Sequence, residues 1–165
     1  MPPIVSIVGK SKTGKTTLLE ALISELKSRG YHVATMKHCH HTLSFDKPNK
    51  DSWRHIQAGS EATAIVSLDQ IFLTKPKPLA EYPDLNKIAR LFGDDYDIIL
   101  AEGFKQGSAP KIEVHRKAAG PPLGQVNNLI AIATDELLET KARQFPLDDI
   151  KGLVDLLEND FIKPK

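Results

Sequence analysis

The spacing of apolar positions along this chain switches between a strand pattern and a helix pattern, and each switch marks an element. Val5 to Val8 is β-branched and apolar with a single Ser inside. That suits a strand buried on both faces of a parallel sheet. From about Lys15 to Arg29 the period is helical: Leu18, Leu22 and Leu26 share a face with Leu19 and Ile23 beside them. Gly30, after Lys27 and Arg29, stands where a helix-ending residue belongs. Tyr31 to Lys37 then reads as a second strand. A strand, a helix and a strand with a short return predict a right-handed parallel crossover.

Beyond Lys37 the period disappears. His38 to Lys50 is polar and aperiodic, so it reads as a loop after a strand's C-terminal end. Ligands bind at that edge of open α/β sheets, and a long loop there is expected to be functional. Asp51 to Gly59 reads as a short helix, capped by Asp51 or Ser52 and ended by Gly59. Thr63–Leu68 and Gln70–Thr74 are two short β-prone runs, a hairpin or two sequential strands. Their apolar residues fall on both parities, with Ala64, Val66 and Leu68 on one and Ile65 on the other. A surface hairpin hides one face only. The second face predicts contact with another subunit or burial within the monomer, and both stay open.

Asp84 to Phe92 is helical and Gly93 stops it. Tyr96 to Gly103 is an apolar strand ending in Glu102, Lys111 to Arg116 alternates as a half-buried strand would, and Asn128 to Thr134 reads as the last strand. An amphipathic helix from about Asp148 to Leu157 closes the pattern. The expected fold is α/β: a mostly parallel, doubly wound sheet with a β-hairpin extension, in one nucleotide-binding domain over residues 1–165.

The junction between the first strand and first helix gives the fold its chemistry. Gly9-Lys10-Ser11-Lys12-Thr13-Gly14-Lys15-Thr16-Thr17 is a Gly-x-x-x-x-Gly-Lys-Thr P-loop with a strand before it and a helix after it. Gly9 and Gly14 let the backbone curl so that successive N–H groups of Lys10 to Thr17 aim at a phosphate. Lys15 reaches the β- and γ-phosphates as a point charge, and the Thr16 hydroxyl is placed to ligate Mg²⁺. The helix adds its positive dipole end.

Composition narrows the class. The chain has 165 residues, a 41% hydrophobic content and a formal net charge of +1, so it is long enough for a core and has no global basic field for nucleic acid. Cys39 is the single cysteine, which fits a reducing compartment. No segment approaches the roughly 20 apolar residues of a membrane helix. A cytoplasmic protein bound to neither membrane nor nucleic acid is expected.

Two acids compete for the second half of a nucleotide site. Asp97 precedes the apolar strand and Glu102 follows it, about 16 Å away. The P-loop lies at the C-terminal edge, so Glu102 is expected near Mg²⁺ and the γ-phosphate. Lys105, Lys111 and Arg116 would add positive charge near a phosphate-bearing ligand. Lys37, His38 and His41 sit where a switch loop would meet the γ-phosphate. Asp46 and Asp51 could help hold Mg²⁺ or its waters. His38, Cys39, His40 and His41 also invite a zinc reading, but adjacent residues rarely all reach one ion and a second ligand pair is missing.

Three blocks carry a resemblance. The P-loop run through Leu18 is the first. The second is Lys37-His38-Cys39-His40-His41, followed by Asp46, Lys50-Asp51-Ser52-x-Arg54 and Ala58-Gly59. The third is Asp97-x-x-x-x-Glu102-Gly103-Phe104-Lys105, followed by Pro110-Lys111-Ile112-Glu113-Val114-x-Arg116. In this order they resemble the MobB family of molybdopterin-guanine dinucleotide biosynthesis. The resemblance implies a GTP-binding protein with weak hydrolysis that assists attachment of GMP to molybdopterin. It would work beside the molybdopterin guanylyltransferase. It also implies a homodimer, which favours the subunit-contact reading of the hairpin. No Asn-Lys-x-Asp is present, and Asp135 at a strand end is the candidate guanine contact.

The expected mechanism is phosphoryl transfer from nucleotide to water, with Lys15 and the loop amides stabilising phosphate charge and Thr16 and Glu102 holding Mg²⁺. No catalytic Gln or arginine finger stands out, so turnover should be slow. A small-molecule kinase and a non-catalytic nucleotide-switched adaptor are the rival readings. The scattered arginines offer no Arg-rich lid for a kinase.

Overall fold

The computed structural model describes residues 1–39, 47–76 and 82–162. The chain forms two compact units, one of Met1–His38 with Pro83–Lys165 and one of Cys39–Tyr82.

In chain order the first unit begins with β1 (Ile4–Val8), α1 (Lys15–Ser28) and β2 (Val33–Lys37). The second unit supplies α2 (Asp51–Gln57), β3 (Thr63–Val66) and β4 (Ile71–Thr74). The first unit resumes with α3 (Leu85–Ala89), β5 (Ile98–Glu102), β6 (Lys111–Val114), β7 (Leu129–Thr134), β8 (Arg143–Pro146) and α4 (Ile150–Asp160). Six strands form one parallel sheet in the order β2-β5-β1-β6-β7-β8. This is the α/β architecture of P-loop NTPases. β1 lies inside the sheet, with β5 paired on one side and β6 on the other.

Helices cover both faces because the strands alternate two apolar sets. Val5, Ile7, Ile98 and Leu100 meet Leu18, Leu22 and Leu26 of α1 and Leu153, Val154 and Leu157 of α4. Ile4, Ile99 and Ala101 pack with Leu85 and Ala89 of α3. Truncating a buried leucine such as Leu22 would cost about 2–5 kcal/mol. Arg29 ties α1 to α4, with Asp155 and Glu158 both 2.6 Å from its Nη1.

Two strands differ from expectation. β6 is buried along its whole length rather than half-buried. The Lys111 ammonium turns inward and donates to the carbonyls of Ala109 (2.9 Å) and Asn127 (3.0 Å) and to Gly107. Its charge is spent on these carbonyls, not on a phosphate, and burial lowers its pKa. β7 is not the last strand: β8 pairs with it at the sheet edge. Pro146 is tolerated there because an edge strand need not donate on its outer side.

In the second unit β3 and β4 pair antiparallel, Thr63 opposite Thr74 and Val66 opposite Ile71, which makes the two runs a hairpin. None of the unit's described residues is buried. Among the described residues of this unit Val66 is 70% exposed and Ile71 73% exposed, so the unit does not itself cover the hairpin's apolar side chains.

Candidate nucleotide site

The phosphate loop owes its shape to Gly9 and Gly14. Gly14 caps α1 at φ +97°. Gly9 has φ +153°, and a Cβ there would lie 2.5 Å from the Val114 carbonyl oxygen on β6. Only glycine lets the loop pass so close to the neighbouring strand. The Thr13 hydroxyl donates to the Lys10 carbonyl at 3.0 Å, and Lys15 Nζ donates to the same carbonyl at 2.6 Å. Burial lowers the Lys15 pKa while Glu102 opposes the shift. The side chains of Ser11, Lys12 and Thr17 are exposed.

On one flank the end of β5 meets the start of α1. Thr16 Oγ1 lies 3.2 Å from both Glu102 carboxylate oxygens, and Lys37 Nζ lies 3.4 Å from Oε1. Asp97 sits at the opposite end of β5 and accepts from the His32 amide at 2.7 Å. Of the two competing acids, Glu102 is therefore the one beside the P-loop. The Thr16 hydroxyl and Glu102 carboxylate are hard oxygen donors of the kind Mg²⁺ takes, with remaining positions left for phosphate oxygens and water. The chain then turns sharply. Gly103 (φ +95°) and Phe104 (φ +55°) are both left-handed. The His38 amide donates to the Glu102 carbonyl at 3.0 Å, and the His38 ring stacks on Phe104 with centroids 5.1 Å apart.

On the other flank, residues following β6 grip the loop. Arg116 Nε donates to the Thr13 carbonyl at 2.9 Å, and its Nη1 stands 3.9 Å from Asp135 Oδ2. The Lys117 amide donates to Asp135 Oδ1 at 2.8 Å, and Lys10 Nζ reaches the Ala119 carbonyl at 3.4 Å. Beneath them Glu113 is buried. Its Oε1 accepts from the Leu123 amide at 2.6 Å, while Oε2 has no partner. Burial raises its pKa, with Lys10 and Lys105 among the weaker opposing influences. Lys105 itself is exposed.

The fold thus brings together Gly9 to Thr17, Lys37, His38, Glu102, Lys105, Arg116 and, through Arg116, Asp135. Asp51 opens α2 in the second unit. His41 and Asp46 lie outside the described residues. From the sequence Phe104 was given no role at the site, and Lys10 was given one through its backbone amide alone. Phe104 is an apolar residue whose stacking on His38 depends on a turn that only the Gly103-Phe104 pair hinted at. Lys10 looked like one more loop position, yet it spans to Ala119.

Comparison with known proteins places this site in context. The family described as "Molybdopterin guanine dinucleotide synthesis protein B" matches residues 4–135. A molybdopterin-guanine dinucleotide biosynthesis adapter protein of Haemophilus influenzae is 38% identical, over 95% of this chain and 88% of that protein. The Escherichia coli protein of the same description is 35% identical, over 95% and 92%. The crystal structure of Bacillus subtilis MobB superposes with a TM-score of 0.72 at 29% identity, covering 99% of both chains. The phosphate loop, the Glu102 strand and the Arg116 clamp all fall within the matched span, and the chain belongs to the MobB family.

Proposed function

We propose that the chain binds GTP with Mg²⁺ in the P-loop and serves as an adapter in molybdopterin-guanine dinucleotide synthesis, in the cytoplasm. The observation that carries the nucleotide reading is the meeting of Thr16 with Glu102 beside Lys15. Lys15 now donates to its own loop at 2.6 Å, a carbonyl contact that a phosphate oxygen would replace with a stronger charge-assisted one. Mg²⁺ held by Thr16 and Glu102 would screen the phosphate charge. Lys37, His38 and Lys105 are proposed to line the phosphate end of that site. Lys15 and the loop amides stabilise charge on the departing γ-phosphoryl group. Among the described residues Glu102, the carboxylate beside them, is taken up by Thr16 and Lys37, so hydrolysis is expected to be slow.

The relatives' descriptions as adapters support a role beside a partner enzyme, with molybdopterin guanylyltransferase as the proposed partner and molybdopterin or its guanine dinucleotide as the shared ligand. The exposed Val66, Ile71, Phe72 and Leu73 support self-association through the hairpin as a homodimer. Ile71→Asp is expected to convert the dimer to monomer in light scattering, with nucleotide affinity retained.

The test is titration of purified protein with GTP and ATP, with phosphate release followed. GTP preference with slow release is the expected result. ATP preference would contradict the assignment, and GTP binding without any release would move the role to a purely nucleotide-switched adaptor.

A further inference from the structure

The C-terminal ends of β7 and β8 enclose an open cleft of about 500 Å³, on the same sheet edge as the P-loop. Its lining includes Asp135, Leu137, Phe145, Leu147 and Asp148. Leu137 is 91% exposed although the backbone around it is firmly held. The Thr134 hydroxyl donates to the Glu136 carbonyl at 2.9 Å. The Gln144 amide brackets Leu138, accepting from its N–H at 2.9 Å and donating to its carbonyl at 2.8 Å. A fixed wall that presents a bare leucine over an apolar floor is arranged to cover a flat, partly apolar group.

Arg116 connects the cleft to the phosphate loop. One guanidinium contacts the Thr13 carbonyl and stands 3.9 Å from Asp135. A ligand anchored by phosphates in the P-loop therefore has the cleft one side chain away. Asp135 is oriented already: its Oδ1 accepts from the Lys117 amide, and its Oδ2 faces the Arg116 guanidinium at 3.9 Å, too far for a hydrogen bond, and can accept from a donor. The Lys117 ammonium is 79% exposed and 3.9 Å from the Glu136 carboxylate.

We propose that this cleft holds the purine base of the P-loop nucleotide, with Asp135 and Lys117 reading its edge and Leu137 covering its face. The assignment rests on the nucleotide reading above and deepens it. A 2-amino-4-oxopyrimidine edge matches these groups: its N1–H and 2-amino donors meet the carboxylate, and its carbonyl oxygen meets the ammonium. Adenine presents an N1 acceptor to the carboxylate and is rejected. A free pterin carries the same edge but lacks the phosphate tether that runs past Arg116, so the nucleotide is the occupant.

The test is displacement of a fluorescent GTP analogue by GTP, ATP, xanthosine triphosphate, tripolyphosphate and free 6-hydroxymethylpterin. In Asp135→Asn the side-chain oxygen keeps the Lys117 amide and the new Nδ2 faces the base. That variant is expected to lose at least roughly tenfold in GTP affinity and to gain xanthosine triphosphate by a similar factor, because xanthine offers a carbonyl where guanine has its amine. A merely structural Asp135 would show no such exchange. Leu137→Ser is expected to weaken every nucleotide several-fold and leave tripolyphosphate unchanged. Loss of GTP without a gain in xanthosine triphosphate, or a Leu137→Ser variant with unaltered affinities, would overturn the cleft assignment while leaving the phosphate site intact. Displacement by pterin as effective as by GTP would overturn the tether. A wild-type protein that binds no nucleotide, and no tripolyphosphate, would overturn the phosphate site itself and the cleft assignment with it.

Discussion

The two strands beside β1 end differently, although both point the same edge at the P-loop. β5 ends in Glu102, whose oxygens meet the Thr16 hydroxyl and the 60%-exposed Lys37. β6 leads to Glu113, a carboxylate sealed inside with one oxygen unpartnered, and then to Arg116, which reaches back to the Thr13 carbonyl. The β5 flank offers a hydroxyl, a carboxylate and an exposed ammonium to an incoming ion or phosphate. The β6 flank spends its polar groups on the protein's own backbone and fixes where the loop stands. Substitutions on the β6 side should therefore disturb stability and binding together, whereas those on the β5 side should disturb chemistry in a folded protein.

The largest expected break is Gly9→Ala. The added methyl would meet the Val114 carbonyl at 2.5 Å from a backbone at φ +153°. Overpacking and backbone strain together predict a loss of about 3 kcal/mol in chemical denaturation, with nucleotide affinity falling alongside. Arg116→Ala comes next. It removes one charge-assisted hydrogen bond from a half-exposed side chain, so denaturation should show a loss of about 1 kcal/mol, and nucleotide affinity should fall because Thr13 is released.

Glu113→Gln is the finest test, and its sign depends on pH. Burial raises the Glu113 pKa above its ordinary value of 4.5. Below that value the folded and unfolded chains are both protonated and the group contributes nothing to the pH dependence. As pH rises past it, the unfolded chain releases its proton first, so the wild type loses stability until the folded carboxyl also ionises. The glutamine variant keeps an acceptor for the Leu123 amide and carries no such loss. Its midpoint relative to wild type should rise from acid to neutral pH and then level off. A pH-independent difference would show that Glu113 is not protonated more readily in the folded chain.

The same contrast governs how much was legible in the sequence. Motif and period together located β1, the P-loop, α1 and the Glu102 end of β5, because there each residue type follows from one local requirement. On the β6 flank the pattern misled. Lys111, Glu113 and His115 alternate with apolar residues as a solvated face would, yet all three are buried, and each finds a partner in a distant segment: Asn127, Leu123 and Glu136. Nothing local announces such long-range satisfaction. β8 escaped for a related reason. Arg143-Gln144-Phe145-Pro146 is short, polar and contains proline, and becomes a strand only because β7 offers it an open edge. The hairpin residues were legible as strands, but whether their apolar faces were buried or bare required the fold.

The central claim is that Thr16 and Glu102 hold the nucleotide's metal beside Lys15. The most direct measurement is calorimetric titration of GTP with and without Mg²⁺ into the wild type and Glu102→Gln. Mg²⁺ should raise the wild-type affinity roughly tenfold, equal to about 1.4 kcal/mol. Glu102→Gln, with an unchanged denaturation midpoint, should lose that increment and keep the metal-free affinity. An increment that persists in Glu102→Gln would contradict the assignment of the metal to this flank.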